Sequence, residues 1–148
     1  PVCCCRPLPP RKTQAVKDQI GIPLIDTQHA GLFDTFARLQ RSNSDETLSE
    51  ILTKLGNQIQ DHFHTEEILM RGMGLPDDML HGHFSAHNTI LEELAELHWH
   101  AMSGKAKTTD EVVTMVSAWV IQHLAEYDFG LKPYINGLTD SIHYSAAT

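Results

Sequence analysis

Four stretches of this 148-residue chain repeat apolar residues at alternating spacings of three and four, and each of the four stripes contains a histidine. Such spacing marks an amphipathic helix with one buried face. The first stretch, from about Asp26 to Arg41, aligns Ile25, His29, Leu32, Phe36 and Leu39. The second opens at Ser44 as its N-cap and runs to about Met70, aligning Leu48, Leu52, Leu55, Ile59, His62, Glu66 and Met70. "RGMGLPDD" then breaks the helical pattern with two glycines and a proline. The third runs from Asp77 or Asp78 to about Met102 and aligns Leu80, His83, His87, Ile90, Leu94, Leu97 and Ala101. After the turn "SGKAK", the fourth runs from about Thr109 to Asp128 and aligns Val112, Val116, Trp119, His123 and Tyr127.

No stretch alternates with period two, so the predicted fold is all-α. Short turns between long helices predict an antiparallel up-down-up-down four-helix bundle. Residues 1–19 form an irregular N-terminal arm, residues 20–148 the bundle domain, and "LKPYINGLTDSI" a short C-terminal helical tail.

The register of the histidines carries the functional argument. Residues four apart on a helix lie about 40° apart in rotation and one turn apart in height. His62 and Glu66 therefore point the same way, as do His83 and His87, and both pairs point along the apolar stripe toward the bundle axis. A buried polar group without a partner costs a few kcal/mol, and a buried charge costs more. Five imidazoles and a carboxylate facing one core need compensation, and bound cations supply it. Six such groups exceed the four of a zinc site. They suit two octahedral ions sharing carboxylate bridges, and imidazole with carboxylate and no thiolate suits iron. The neighbours separate cleanly on this register. His64 lies about 200° round the helix from His62 and is expected at the surface, with His81, His98, His100 and His143. Glu67 is expected on the flank, as a salt-bridge partner or as an outer partner of a ligand.

Composition narrows the remaining classes. A net charge of −8, with no basic face outside the N-terminus, argues against nucleic acid as a partner. No apolar run approaches the ~18 residues of a membrane-spanning helix, and "PVCCCRPLPPRK" lacks the apolar core of a signal peptide. All three cysteines are adjacent, at Cys3, Cys4 and Cys5, so no disulfide framework is expected and a reducing, cytoplasmic setting fits. The first residue is Pro, which together with the linker-like arm suggests processing or a piece of a longer chain with a fused signalling output domain.

These motifs resemble the hemerythrin family, and its bacterial branch in particular. "GIPLIDTQHAGLF" resembles the first family motif, "HFHTEEILM" the second, "HFSAHNTIL" the third and "WVIQHLAEYD" the fourth, all in order between about Ile20 and Asp128. The family commonly carries an aromatic residue before the first motif, where this chain has Val16.

The resemblance implies seven metal ligands. His83, His87 and His123 would hold one iron, His29 and His62 the other, and Glu66 and Asp128 would bridge both. Asp128 lies outside the periodic stripe. It follows His123 by five residues, about 140° away on an ideal helix, so reaching the same ions needs a π-like turn or a frayed helix end. With a solvent-derived bridge, the first iron would be six-coordinate and the second five-coordinate. Dioxygen would bind reversibly at the open position on the iron held by His29 and His62. The resemblance puts Leu32, Phe63, Trp119, Val120 and Leu124 around that position, where each also serves as an ordinary core residue. The implied function is an oxygen or redox sensor domain, or an oxygen carrier or store, and not an enzyme. The alternatives are an iron-binding module and a di-iron oxidase or peroxidase, the latter disfavoured because those sites use Glu-x-x-His pairs, and this chain contains none.

Overall fold

The computed structural model describes residues 19–41, 46–105 and 107–138. Four helices follow one another: α1 (Pro23–Arg41), α2 (Leu48–Met70), α3 (Asp77–Met102) and α4 (Thr109–Glu126). Each packs on the next, and α4 closes back on α1, which makes the expected bundle. No strand occurs among the described residues.

The helix ends are set by local chemistry. α1 begins three residues earlier than expected, because Pro23 suits a first helical position, where no backbone donor is needed. The Asp26 carboxylate then accepts the backbone N–H groups of Ile20 and Gly21, at 2.8 and 3.1 Å, and so ties the entering chain to the helix. α2 begins at Leu48, not at Ser44, which lies outside the described residues. Thr47 caps it, its side chain accepting from Glu50 N–H while the Glu50 carboxylate accepts from Thr47 N–H. The same reciprocal box, Thr108 with Glu111, opens α4. Such caps contribute about 1 kcal/mol each. α3 ends in a left-handed Gly104 (φ +70), with Lys105 N–H donating to the His100 carbonyl at 3.1 Å.

α4 stops at Glu126 rather than continuing to Asp128. Tyr127 still donates its N–H to the His123 carbonyl at 2.8 Å, but Gly130 N–H goes to Tyr127, three residues back, and Asp128–Tyr134 is a 3-10 helix. The chain therefore tightens at this point, where a π-like turn or fraying was expected. Leu131 buries fully and pins the 3-10 segment to the bundle. Most of the expected tail is described, with Leu131–Tyr134 in the 3-10 helix and 136–138 helical again, and residues 139–142 lie outside the described residues. Gly137 allows that tail to cross Met73, since a Cβ there would sit 2.7 Å from the Met73 carbonyl oxygen. Residues 1–18 of the predicted arm, with Cys3, Cys4, Cys5 and Val16, lie outside the described residues, as does His143.

The core divides into two apolar clusters along the bundle axis. One is built from residues including Leu32, Phe36, Leu55, Ile59, Phe63, Ile90, Val116 and Val120. The other contains Ile20, Ile25, Met70, Met73, Leu124 and Leu131. Ile25 and Leu32 straddle His29 on α1, and Phe63 and Met70 straddle Glu66 on α2. A polar layer therefore lies between two apolar ones. On α4 the buried face is broader than the expected stripe. Val113, Val120 and Leu124 are buried, while Trp119 and Tyr127 are only half-buried.

Candidate metal centre

Seven polar side chains form the layer: His29 from α1, His62 and Glu66 from α2, His83 and His87 from α3, His123 from α4, and Asp128 from the first position of the 3-10 helix. All seven are buried, with at most 4% of their surface exposed. They divide into two groups of potential ligand atoms: Glu66 with His83, His87 and His123, and Asp128 with His29 and His62. These are the seven residues expected to meet there.

The imidazoles turn their Nε2 atoms inward. His83 and His123 bring these atoms within 3.0 Å of each other, and His29 and His62 within 3.2 Å. Asp128 lies between the groups. Its Oδ1 is 3.0 Å from His123 Nε2 and 3.2 Å from His83 Nε2, and its Oδ2 is 3.0 Å from His29 Nε2. Glu66 Oε2 approaches His87, His83 and His62 at 3.3, 3.4 and 3.8 Å. The break in the helix makes this possible: Tyr127 departs from ideal helical angles (φ −116, ψ −59), so Asp128 no longer follows the α-helical rotation from His123.

The arrangement fits cations. Both Glu66 oxygens, Asp128 Oδ1 and His87 Nε2 are buried and lack a hydrogen-bond partner. Each such atom costs about 1–3 kcal/mol if nothing satisfies it. The spacing is informative as well. Two donors each about 2.1 Å from one ion lie about 3.0 Å apart at a right angle and about 3.4 Å apart at a tetrahedral angle. The contacts of 3.0 to 3.2 Å, which link His83 to His123, His29 to His62, and Asp128 to His29 and across the groups to His83 and His123, match the right angle, and the Glu66 contacts of 3.3 and 3.4 Å match the wider one.

Two outer partners orient two of the rings: Glu67, expected on the flank as such a partner or in a salt bridge, and Gln28, which helical periodicity does not single out. Glu67 Oε1 is 3.0 Å from His87 Nδ1. Gln28 Oε1 is 3.3 Å from His62 Nδ1. A carboxylate only accepts, so His87 carries its proton on Nδ1 and points a lone pair inward. Gln28 acts in the same way, because its Nε2 donates to Thr65 Oγ1, whose own proton goes to the Asp61 carbonyl. Among the other histidines, His64 and His81 are exposed, as expected. His98 is instead half-buried, its Nε2 2.7 Å from Ser49 Oγ, and His100 is also half-buried.

Electrostatics follow the crowding. Burial is the largest single influence on Asp128 and pushes its carboxyl up. The close imidazoles of His123, His29, His62 and His83 together outweigh it and hold the group well below the usual range. Glu66 is lowered in the same sense, with burial opposing and His83 and His87 prevailing. Burial pushes His83 down, but Asp128 and Glu66 raise it further, to about 9. His123 is lowered, because burial there wins over its Asp128 contact.

A pH dependence follows for the metal-free protein. A folded-state value above the ordinary ~6.5 means that His83 protonation stabilises the fold below that pH. That contribution is lost as pH rises through about 9. Thermal melts of chelator-treated protein should therefore fall in Tm between pH 6.5 and 9. A flat profile across that window would show that His83 is not protonated in the empty site.

The five residues expected around the open position occupy different places. Leu32, Phe63, Val120 and Leu124 are buried, and Trp119 is half-buried against the cluster of Leu32 and Phe36. Phe63 lies nearest the three-histidine group. Its ring stacks on His87 with centroids 3.8 Å apart and is 5.6 Å from His62. Trp119 lines an open cavity of about 340 Å³ between α3 and α4, whose other walls include His123, Glu126 and Tyr127.

Comparison with known proteins agrees with this picture. Residues 20–135 match the hemerythrin HHE cation binding domain. The chain is 32% identical over 108 residues to myohemerythrin of Theromyzon tessulatum, covering 73% of this chain and 80% of that protein. It is 26% identical over 111 residues to bacteriohemerythrin of Methylococcus capsulatus, covering 73% and 83%. A solved crystal structure of wild-type hemerythrin superposes with a TM-score of 0.67 at 22% identity, covering 77% of this chain and 88% of that one, and supports the fold. With the family match spanning the bundle and the polar layer at its centre, the chain belongs to the hemerythrin HHE cation-binding family.

Proposed function

We propose that this domain holds two iron ions and binds dioxygen reversibly, as an oxygen or redox sensor or as an oxygen carrier. The observation that supports this most strongly is the convergence of five inward-facing Nε2 atoms and two carboxylates in one buried layer. His83, His87 and His123 would hold one ion, His29 and His62 the other, and Glu66 and Asp128 would bridge them. Of the two carboxylates, Asp128 would suit bridging better, since it turns one oxygen toward each group. Iron held there would supply the electrons for reversible dioxygen binding, on the side of His29 and His62.

The chain's own residues supply the rest. Glu67 and Gln28 fix the tautomers of His87 and His62, so that lone pairs face the ions. Leu32, Phe63 and Val120 on one side of the polar layer and Leu124 on the other would keep water from the ions, while Trp119 borders the open cavity beside His123; apolar walls suit release of unchanged oxygen over turnover. We infer no enzymatic activity on that ground. No described helix is long and apolar enough to cross a membrane, and a cytoplasmic setting fits the absence of cysteine from the described residues.

The test is anaerobic reduction of the iron-loaded protein, then oxygen, then argon. A visible charge-transfer band that appears with oxygen and disappears under argon is expected. Irreversible bleaching or oxidation would overturn reversible binding and favour an oxidase-like or one-way sensing role.

A further inference from the structure

The two histidine groups are held from outside by partners of different charge. In the three-histidine group, His87 Nδ1 meets the Glu67 carboxylate at 3.0 Å. Arg71 in turn steadies Glu67, with Nη2 at 3.9 Å from its other carboxylate oxygen. In the two-histidine group, His62 Nδ1 meets the neutral Gln28 amide at 3.3 Å, and Gln28 is anchored on Thr65 at 3.1 Å. Both partners sit on the same edge of their rings and fix the same tautomer, so they differ chiefly in charge. Glu66 and Asp128 do not create this difference, because each lies close to histidines of both groups. Arg71 offsets part of the Glu67 charge, but it is 58% exposed and screened by water, while the His87 ring is fully buried.

We infer that Glu67 and Gln28 are positioning residues that order the two ions by redox potential. The ion at His83, His87 and His123 gives up the first electron, and the ion at His29 and His62 keeps its electron longest. This rests on the two-iron reading above. A carboxylate accepting from Nδ1–H makes the imidazole a stronger electron donor and stabilises the higher charge on its metal. A neutral amide does so less. The remaining reducing electron is thus kept on the ion with the proposed open position.

The step is a single electron transfer with no bond made or broken. One ferrous ion becomes ferric as ferricyanide becomes ferrocyanide. Iron content is measured first, and the reduced protein is then titrated anaerobically to give two one-electron potentials. Glu67→Gln keeps an acceptor oxygen in place and removes the charge. It should make the first oxidation about tenfold less favourable, roughly 59 mV, and leave the second nearly unmoved. Gln28→Glu should lower the second potential and leave the first nearly unmoved, so that both variants narrow the gap. Glu67→Asp retains the charge and should restore most of the wild-type value. A purely structural role would move both potentials together, and that result would overturn the inference, as would two unmoved potentials in iron-replete Glu67→Gln. Wild-type protein without iron would instead overturn the two-iron reading on which the inference stands.

Discussion

Glu66→Ala is expected to leave the purified protein with little bound iron, its metal affinity reduced well over 100-fold. The side chain is fully buried, and neither of its oxygens has a hydrogen-bond partner in the protein. Its value therefore lies in what it can offer an ion. Removing an outer partner of a metal ligand already costs 10- to 100-fold in affinity, and Glu66 stands where it would touch both ions. Its loss also strips the anionic neighbour from His83 and His87, at 3.4 and 3.3 Å. Glu67→Ala, one residue along, should keep two irons per chain, since Glu67 only orients His87 from outside. Far-UV circular dichroism separates loss of metal from loss of fold. Equal iron in the two variants would mean that Glu66 is not a ligand.

Stripping the metal should be the larger effect on stability. A ligand that binds only the folded chain adds about 4 kcal/mol when present at a thousandfold over its Kd. For a domain of this size that is roughly 10–15 °C in Tm. The loss should be local as well as global. The metal-free layer sets five imidazoles against two carboxylates with several atoms unsatisfied, and Asp128 hangs on a short 3-10 helix held chiefly by Leu131. Differential scanning calorimetry with and without chelator measures the first effect. Hydrogen exchange at the α4 end and the 3-10 helix measures the second. An unchanged Tm would show that ion binding is not coupled to the fold.

Much of this was legible in the sequence, because helix rotation is rigid. His29, His62, Glu66, His83, His87 and His123 lie in their apolar stripes, and all six are buried in one layer. Asp128 was invisible to periodicity, because the period changes where α4 gives way to the 3-10 helix, and only the family resemblance pointed to it. Gln28 and Glu67 each sit one residue from an inward-facing one, on the helix flank. Which atom such a side chain meets depends on its rotamer and on the facing helix. The adjacent pairs Gln28–His29 and Glu66–Glu67 were a usable hint. The start of α2 is also legible in the residues themselves. Thr47 and Glu50 have the spacing of a capping box, whereas Ser44 has Thr47 and not an acid three residues on. His98 escaped the surface reading because its partner, Ser49, is on another helix.

The most direct test of the two-ion centre is crystallography of the iron-loaded protein at the iron absorption edge. Two anomalous peaks should appear between Glu66 and Asp128, about 3.5 Å apart as in other two-metal sites, with His29 and His62 at one and His83, His87 and His123 at the other. A single peak, or none within the histidine layer, would contradict it.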